Sequence, residues 1–226
     1  MRCRIKLLAL LLIVSVWTTP VAAEFATPGS EAAICDSLAD YFLGAEDYPE
    51  AIRLHLEVLR RDPNSARAHY LQGFAYGMVG PTGTEIQEYE RAVALGLRIF
   101  DLLLNLGLAR LELGDFVGAT EALQTASSLA DRPEVHFNLG IVYERRRMLR
   151  EAEIEVHRAL TQSPNDPDYL NMLAVVAADK GNVAEARDIW LAILFHHPQY
   201  APAAANLRIL HAVRNGKVNT FYCASA

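Results

Sequence analysis

The chain has 226 residues, of which 52% are hydrophobic and 8% aromatic, a composition that excludes disorder over most of its length. Its formal charge is −6, and it becomes −9, with 18 basic and 27 acidic residues, once Arg2, Arg4 and Lys6 of an N-terminal leader are set aside. This sign disfavours nucleic acid as a partner, because nucleic-acid binding depends on Lys and Arg at phosphates.

Residues 1–23 have the three parts of a secretory signal peptide: a basic start, an apolar run from Leu7 to Trp17, and small residues at Val21 and Ala23. The pattern predicts cleavage after Ala23 and a linker over residues 24–31. A membrane anchor is the alternative, but the apolar run is shorter than the ~20 residues that a spanning helix needs. We therefore expect a periplasmic or secreted protein whose association with membranes is only indirect.

Two cysteines remain after the predicted cleavage, Cys35 and Cys223, at opposite ends of the chain. An oxidising compartment permits a disulfide. The ten helices predicted between them would hold the two ends apart, whereas residues 215–223 reach at most ~30 Å when extended. A bridge therefore stays open, beside a buried thiol at Cys35 and a free or intermolecular Cys223.

A repeat of about 34 residues is the most informative feature of the chain. Equivalent residue pairs recur at intervals of 34, 34, 33 and 34 residues: Leu38-Ala39, Gln72-Gly73, Leu106-Gly107, Leu139-Gly140 and Leu173-Ala174. Each interval holds two helical patterns of about 13 residues separated by a short break. The spacing predicts five helix-turn-helix units.

Glycine and proline mark the ends of the predicted helices. Gly80, Gly114 and Gly181 fall where the first helix of a unit should end, because glycine adopts the left-handed cap conformation without steric cost. Arg132-Pro133 and Asp166-Pro167 fall where helices should begin, since proline fits the first helical position and aspartate can cap it.

The side chains at fixed places in each unit resemble those of the tetratricopeptide repeat. An aromatic residue follows the recurring pair at Phe42, Tyr76 and Tyr143. Early in the second helix come small residues at Ala51, Ala119, Ala152 and Ala186, then bulky ones at Tyr89, Leu123, Val156 and Trp190. Later small residues are Ala92, Ala126 and Ala159, and the closing prolines are Pro63, Pro164 and Pro198.

The resemblance implies an all-α fold, a right-handed alpha-alpha solenoid of five units. The units are expected at residues 32–65, 66–99, 100–132, 133–166 and 167–200, followed by a capping helix over 201–214 and a tail over 215–226. The second unit departs from the pattern, since Glu85 replaces its early small residue and Gly96-Leu97 its closing Asp-Pro. We expect that hairpin to be looser than the others.

In this family the first helices line a concave groove that holds an extended or helical peptide, so the resemblance implies a partner-binding groove here. Its candidate residues are Arg67, Tyr70, Phe74, Met78, Asp101, Leu104, Leu108, Glu134, Phe137, Ile141, Arg145 and Asn171. The apolar centre and the charged rim, which Asp168 joins, suit an apolar peptide or an amphipathic helix.

Two questions about this groove stay open. Phe74, Leu108, Ile141 and Val175 could instead pack between neighbouring first helices, and we expect the more exposed set to be Tyr70, Met78 and Phe137. The tail around Phe221 and Tyr222 could fold back into the groove. Some members of the family grip a terminal carboxylate with paired Lys and Asn residues, but the inward positions here hold no Lys and only one Asn, Asn171, so we do not expect binding of that kind.

No catalytic, metal-binding or cofactor-binding motif is predicted. Gly77, Gly80 and Gly83 lack the Lys-Ser or Lys-Thr of a phosphate loop, and we expect His69 and His136 to pack toward the second helix. One basic cluster, interpreted as a solvated turn or as a site for an acidic partner or lipid headgroup, comprises Arg145, Arg146, Arg147 and Arg150.

The sequence favours a non-catalytic adaptor in the bacterial periplasm. Its partner would be another protein. Exported relatives of this fold suggest a role in the assembly of an envelope machine, such as a pilus, a secretion system or a polysaccharide exporter. A carrier of a small apolar or lipid ligand in the same groove is the alternative. The oligomeric state is left open.

Overall fold

A computed structural model describes the backbone of residues 31–80 and 82–214 and the side chains of residues 37–80 and 83–212. The predicted signal peptide, the linker up to residue 30 and the tail over 215–226 lie outside the described residues. So do Cys223 and the side chain of Cys35.

The described part of the chain consists of eleven α-helices and contains no strand. They are α1 Glu31–Gly44, α2 Tyr48–Arg61, α3 Ala66–Val79, α4 Thr82–Ala94, α5 Phe100–Leu113, α6 Phe116–Leu129, α7 Pro133–Arg145, α8 Leu149–Gln162, α9 Pro167–Asp179, α10 Val183–His196 and α11 Ala201–Arg214. The predicted all-α class is confirmed. None of these helices combines the length and the apolar character that crossing a bilayer would require.

The chain divides into two compact units, one that ends at Ala122 and one that begins at Leu123, within α6. In the first unit each helix from α1 to α4 packs on the one that follows it, and α3 also contacts α5. In the second unit the same holds from α7 to α10, and α7 contacts α9. Packing between successive short helices is the arrangement of a helical-repeat solenoid.

Small and bulky residues alternate in the cores as the sequence predicted. The early small residues and the bulky residues four positions later are buried: Ala51, Tyr89, Ala119, Leu123, Ala152, Val156, Ala186 and Trp190. Gly140 shows why the small residues are needed, because a β-carbon added there would lie 2.7 Å from Val156 Cγ2. The helix axes approach too closely for a larger side chain.

Helix starts follow the predicted capping chemistry. Asp166 precedes Pro167, and its carboxylate accepts hydrogen bonds from the amides of Asp168 at 2.9 Å and Tyr169 at 3.3 Å. Pro133 likewise stands in the first turn of α7. Both prolines occupy positions whose missing N–H has no helical partner.

All three predicted glycines follow the end of a first helix, and two of them have the predicted left-handed conformation. Gly114 and Gly181 are left-handed, with φ of +80° and +90°. Gly80 also ends its helix as predicted, but not in the left-handed conformation, since its φ of −116° and ψ of −173° are extended. Gly80 precedes Pro81 in the sequence. The proline ring clashes with a helical conformation of the residue before it, which therefore favours an extended backbone. At two equivalent turns Glu46 and Arg147 adopt φ of 60°.

The prediction that the second hairpin is loose is also wrong. A β-carbon on Gly73 would lie 2.7 Å from the Tyr89 ring, and one on Gly77 would lie 2.4 Å from Glu85 Oε1. The two glycines of α3 therefore make room for the larger side chains of α4. The volume that Glu85 adds on one helix is removed from the other, so the two helices stay closely packed.

Candidate functional site

The first helices of the first unit carry seven of the predicted groove residues. Arg67 is already engaged, because its guanidinium donates to Asp40 Oδ2 at 2.5 Å and both side chains are about one quarter exposed. Tyr70 is buried at 7% exposure, with its ring centre 6.1 Å from that of Tyr89. The prediction that Tyr70 is exposed is therefore wrong.

Burial has a chemical consequence for Tyr70. Removal from water, reinforced by the negative charge of Asp101, raises the pKa of its phenol well above the ordinary value. The side chain is a neutral member of the core, packed on α4. At this position of the repeat, the Tyr70 side chain points toward α4, the second helix of its own hairpin, rather than toward solvent.

Four apolar groove candidates remain partly exposed on α3 and α5. Phe74, Met78, Leu104 and Leu108 are half-buried, and the two helices that carry them are in contact. Phe74 packs against the core while part of its ring stays exposed. We call these four residues the α3/α5 surface. Asp101, also half-buried, stands in the first turn of α5.

The second unit has a smaller surface of the same kind. Phe137 and Ile141 on α7 are half-buried, and the Phe137 ring lies 5.0 Å from the ring of Tyr169 on α9. Met78 and Phe137 are therefore half-buried, like Phe74, Leu108 and Ile141 of the set that was expected to be less exposed. Sequence reasoning missed Tyr169, although an aromatic residue in the first turn of the next first helix was a usable signal.

The charged candidates of the second unit are unevenly exposed. Glu134 is half-buried, with Oε1 3.7 Å from Arg132 Nη1. Arg145 is exposed, and its Nε lies 3.5 Å from Glu144 Oε2. Of the predicted basic cluster, Arg147 is paired with Asp179 on α9.

Asn171 is not a groove residue. Its side chain is buried, and Oδ1 accepts hydrogen bonds from Trp190 Nε1 at 2.9 Å and Asn206 Nδ2 at 3.1 Å. Val175 on the same helix is buried too, which agrees with the packing alternative at that position. Asp168 on the predicted rim accepts a hydrogen bond from the Tyr200 hydroxyl at 2.6 Å.

The two equivalent histidines face the second helix of their hairpin, as predicted. His69 Nδ1 lies 2.6 Å from Glu88 Oε2, and His136 Nδ1 lies 2.7 Å from Glu155 Oε2. The second ring nitrogen of His136 lies 2.5 Å from Asp131 Oδ1. The contacts to Glu88 and Glu155 join the two helices of a hairpin, whereas Asp131 lies in the loop before α7. Over the described residues, no three His, Cys, Asp or Glu side chains group in a way that could hold a metal ion.

The tetratricopeptide repeat family matches residues 37–76, 104–167 and 137–202, together more than half of the chain. Tetratricopeptide repeat protein 8 of Caenorhabditis elegans is 24% identical over 147 residues. That alignment covers 64% of this chain and 29% of the length of the relative.

Solved structures show the same fold. YrrB, described as a repeat protein of this family with an unusual peptide-binding site, superposes with a TM-score of 0.72 at 23% identity, over 81% of this chain and 92% of its own. MamA from Desulfovibrio magneticus RS-1, residue 41 to the end, gives a TM-score of 0.72 at 18% identity, over 77% of this chain and 99% of its own.

Proposed function

The chain belongs to the tetratricopeptide repeat family, and we propose that it is a non-catalytic scaffold that holds a peptide or helix of another protein on its first helices. The observation that carries this proposal is the α3/α5 surface. Its four apolar side chains stay partly exposed although α3 and α5 each have other residues that fill the core, such as Leu71 and Leu106.

Apolar anchors bordered by charge favour an amphipathic partner. The α3/α5 surface lies on the same helices as Arg67 and Asp101, and Arg67 forms an ion pair with Asp40 on α1. Apolar side chains of a partner would supply binding energy there, and its polar groups would set the register. The peptide-binding site described for YrrB supports a protein ligand for this fold.

The scaffold is proposed to act outside the cytoplasm, in the assembly of an envelope machine. The support is the signal-peptide pattern of residues 1–23, with small residues at Val21 and Ala23. N-terminal sequencing of the protein from fractionated cells tests this part by itself. A mature chain that begins at Glu24 in the periplasmic fraction is expected, and an intact leader in the cytoplasm would contradict it.

Site-specific photo-crosslinking in cells tests the binding surface. A benzophenone amino acid at Met78 or Leu108 is expected to form a discrete protein adduct, which mass spectrometry identifies. The matched control is Val117 on α6, which is 60% exposed and apolar but lies on a second helix. Equal adducts at Val117, or none at Met78 and Leu108, would overturn the proposal. A lipid adduct, with bound lipid in native mass spectrometry, would identify a carrier instead.

A further inference from the structure

The charge on the helices of the α3/α5 surface is mostly negative. These two helices contain four residues of the Lys, Arg, Asp and Glu types: Arg67, Asp101, Arg110 and Glu112. Arg110 is directed elsewhere, because its guanidinium donates to Glu90 Oε1 on α4 at 2.8 Å and to the Gly118 carbonyl on α6 at 3.1 Å. One cation and two carboxylates of α3 and α5 are left for the surface.

The two carboxylates lie at the ends of the apolar stripe of α5. Asp101, Leu104, Leu108 and Glu112 follow one another at intervals of three or four positions, which places them on one side of the helix. Asp101 is half-buried and Glu112 is exposed. Glu112 follows Asp101 by eleven positions, or about 16 Å along the helix axis at 1.5 Å per residue.

The negative charge of Asp101 also acts on α3. Burial is the main cause of the raised pKa of the Tyr70 phenol, and the charge of Asp101 adds to it. The cation of α3, Arg67, already binds Asp40 on α1 at 2.5 Å. Three carboxylates therefore stand against one guanidinium. An excess of two negative charges remains, whatever further contacts these four groups make.

We propose, on the basis of the scaffold function proposed above, that the partner segment held on the α3/α5 surface is a basic amphipathic peptide. Its apolar side chains contact the four apolar residues of the surface. A Lys or Arg on each side of them lies against Asp101 and Glu112. The spacing of about 16 Å between these basic groups corresponds to roughly eleven residues of a helix or about five residues of an extended segment.

Charge of this sign selects among partners more than it strengthens binding. Carboxylates beside an apolar site steer a basic segment toward it and repel an acidic one. An anionic lipid headgroup meets the same repulsion. Because Glu112 is exposed, water and salt weaken its ion pair with a partner, so each carboxylate contributes only modestly to the affinity.

Selection from a displayed library of random peptides, long enough to span both carboxylates, tests this inference on the purified full chain. Binders are counted only when their capture is lost in Leu108→Asp, which places a charge in the centre of the surface. The counted binders are expected to be enriched in Lys and Arg on both sides of an apolar centre and depleted in Asp and Glu.

Affinity measurements with a synthetic copy of one selected peptide assign the charges. In fluorescence anisotropy, Asp101→Asn and Glu112→Gln should each weaken binding about two- to fivefold. Glu112→Lys should bind the original peptide less well than a copy in which the basic residue at that end is replaced by Glu. Glu151→Gln, an exposed carboxylate on the second helix α8, is the matched control and should leave the affinity unchanged. Circular dichroism checks that each variant keeps its helices.

Three results would refute the basic partner. They are Leu108-dependent binders without an excess of Lys and Arg, an affinity that both carboxylate variants leave unchanged, and a library that yields no Leu108-dependent binder. The scaffold function is tested separately, by protein adducts at Met78 and Leu108 in cells. Adducts that form while the library gives one of these three results would leave the scaffold function standing and remove only its basic partner.

Discussion

Asn171 Oδ1 accepts a hydrogen bond from the indole nitrogen of Trp190 at 2.9 Å, and both side chains are buried. The same oxygen accepts from Asn206 at 3.1 Å, so one amide joins α9, α10 and α11. A buried polar group stabilises a structure only when it is satisfied. The last described helix is therefore held by a polar contact in addition to apolar packing.

Replacing Asn171 by leucine is expected to cost about 1–3 kcal/mol of unfolding free energy, because it leaves the donors on Trp190 and Asn206 buried without an acceptor. Urea denaturation measures the effect. Asn138→Leu is the control, since Asn138 is half-buried and bonds only to Glu134 O of its own helix. Equal losses for the two variants would contradict the role of Asn171.

His55 is expected to make the fold less stable in mild acid. Its ring is fully buried, and burial together with the charge of Arg67 lowers its pKa from 6.5 to about 4. Between these values the unfolded chain binds more protons than the folded chain does. The unfolding free energy that depends on neutral His55 is therefore fully present above pH 6.5. It falls progressively as pH decreases toward 4, by up to roughly 3 kcal/mol.

Chemical denaturation at pH 7 and pH 4.5 checks this expectation in His55→Leu. The variant should lose part of the acid sensitivity of the native chain, whereas His157→Leu, at an exposed position, should keep it. An unchanged pH dependence in His55→Leu would show that the sensitivity lies elsewhere.

The two equivalent histidines should differ in importance. His136→Leu is expected to cost about 3 kcal/mol, because it removes a partner of Glu155, whose side chain is only 12% exposed. His69→Leu should cost less, since Glu88 is 22% exposed and remains closer to water. Thermal unfolding of both variants makes the comparison, and a larger loss for His69→Leu would refute the burial argument.

Glu46→Gly is expected to stabilise the fold by about 1 kcal/mol, because Glu46 holds the left-handed conformation at φ of 60° that glycine adopts without strain. The melting temperature should rise. Ala45→Gly is the control at the neighbouring position, where φ is not positive and only the entropic cost of glycine applies. A lower melting temperature for Glu46→Gly would disprove the strain.

Gly73→Ala should destabilise the second hairpin by about 1–3 kcal/mol, since the new methyl group would lie 2.7 Å from the buried ring of Tyr89. Gly83→Ala, on α4 with open space around it, should change little. The difference between the two unfolding free energies reports the close approach of α3 and α4. Similar values would mean that the ring moves aside.

The sequence by itself determined the repeat. A spacing of about 34 residues, alanines at Ala119 and Ala152 and capping signals such as Asp166-Pro167 predicted the helices, their pairing and the buried small residues. These features are local or periodic, because each helix meets its neighbours through the same positions in every unit. A side chain's place in the period therefore predicts its partner.

Only the tertiary structure decided whether a side chain is buried or exposed at those positions of the repeat where it could point either toward the second helix or toward solvent. Tyr70, Phe137 and Asn171 share one register, yet Tyr70 and Asn171 are buried against the second helix and Phe137 stays partly exposed. Burial depends on the size and hydrogen bonding of the side chain on the opposing helix. This side chain is Tyr89 for Tyr70 and Trp190 for Asn171. Glu85 fits only because Gly77 faces it. Such complementarity between two helices is set by their packing, which no single stretch of sequence contains.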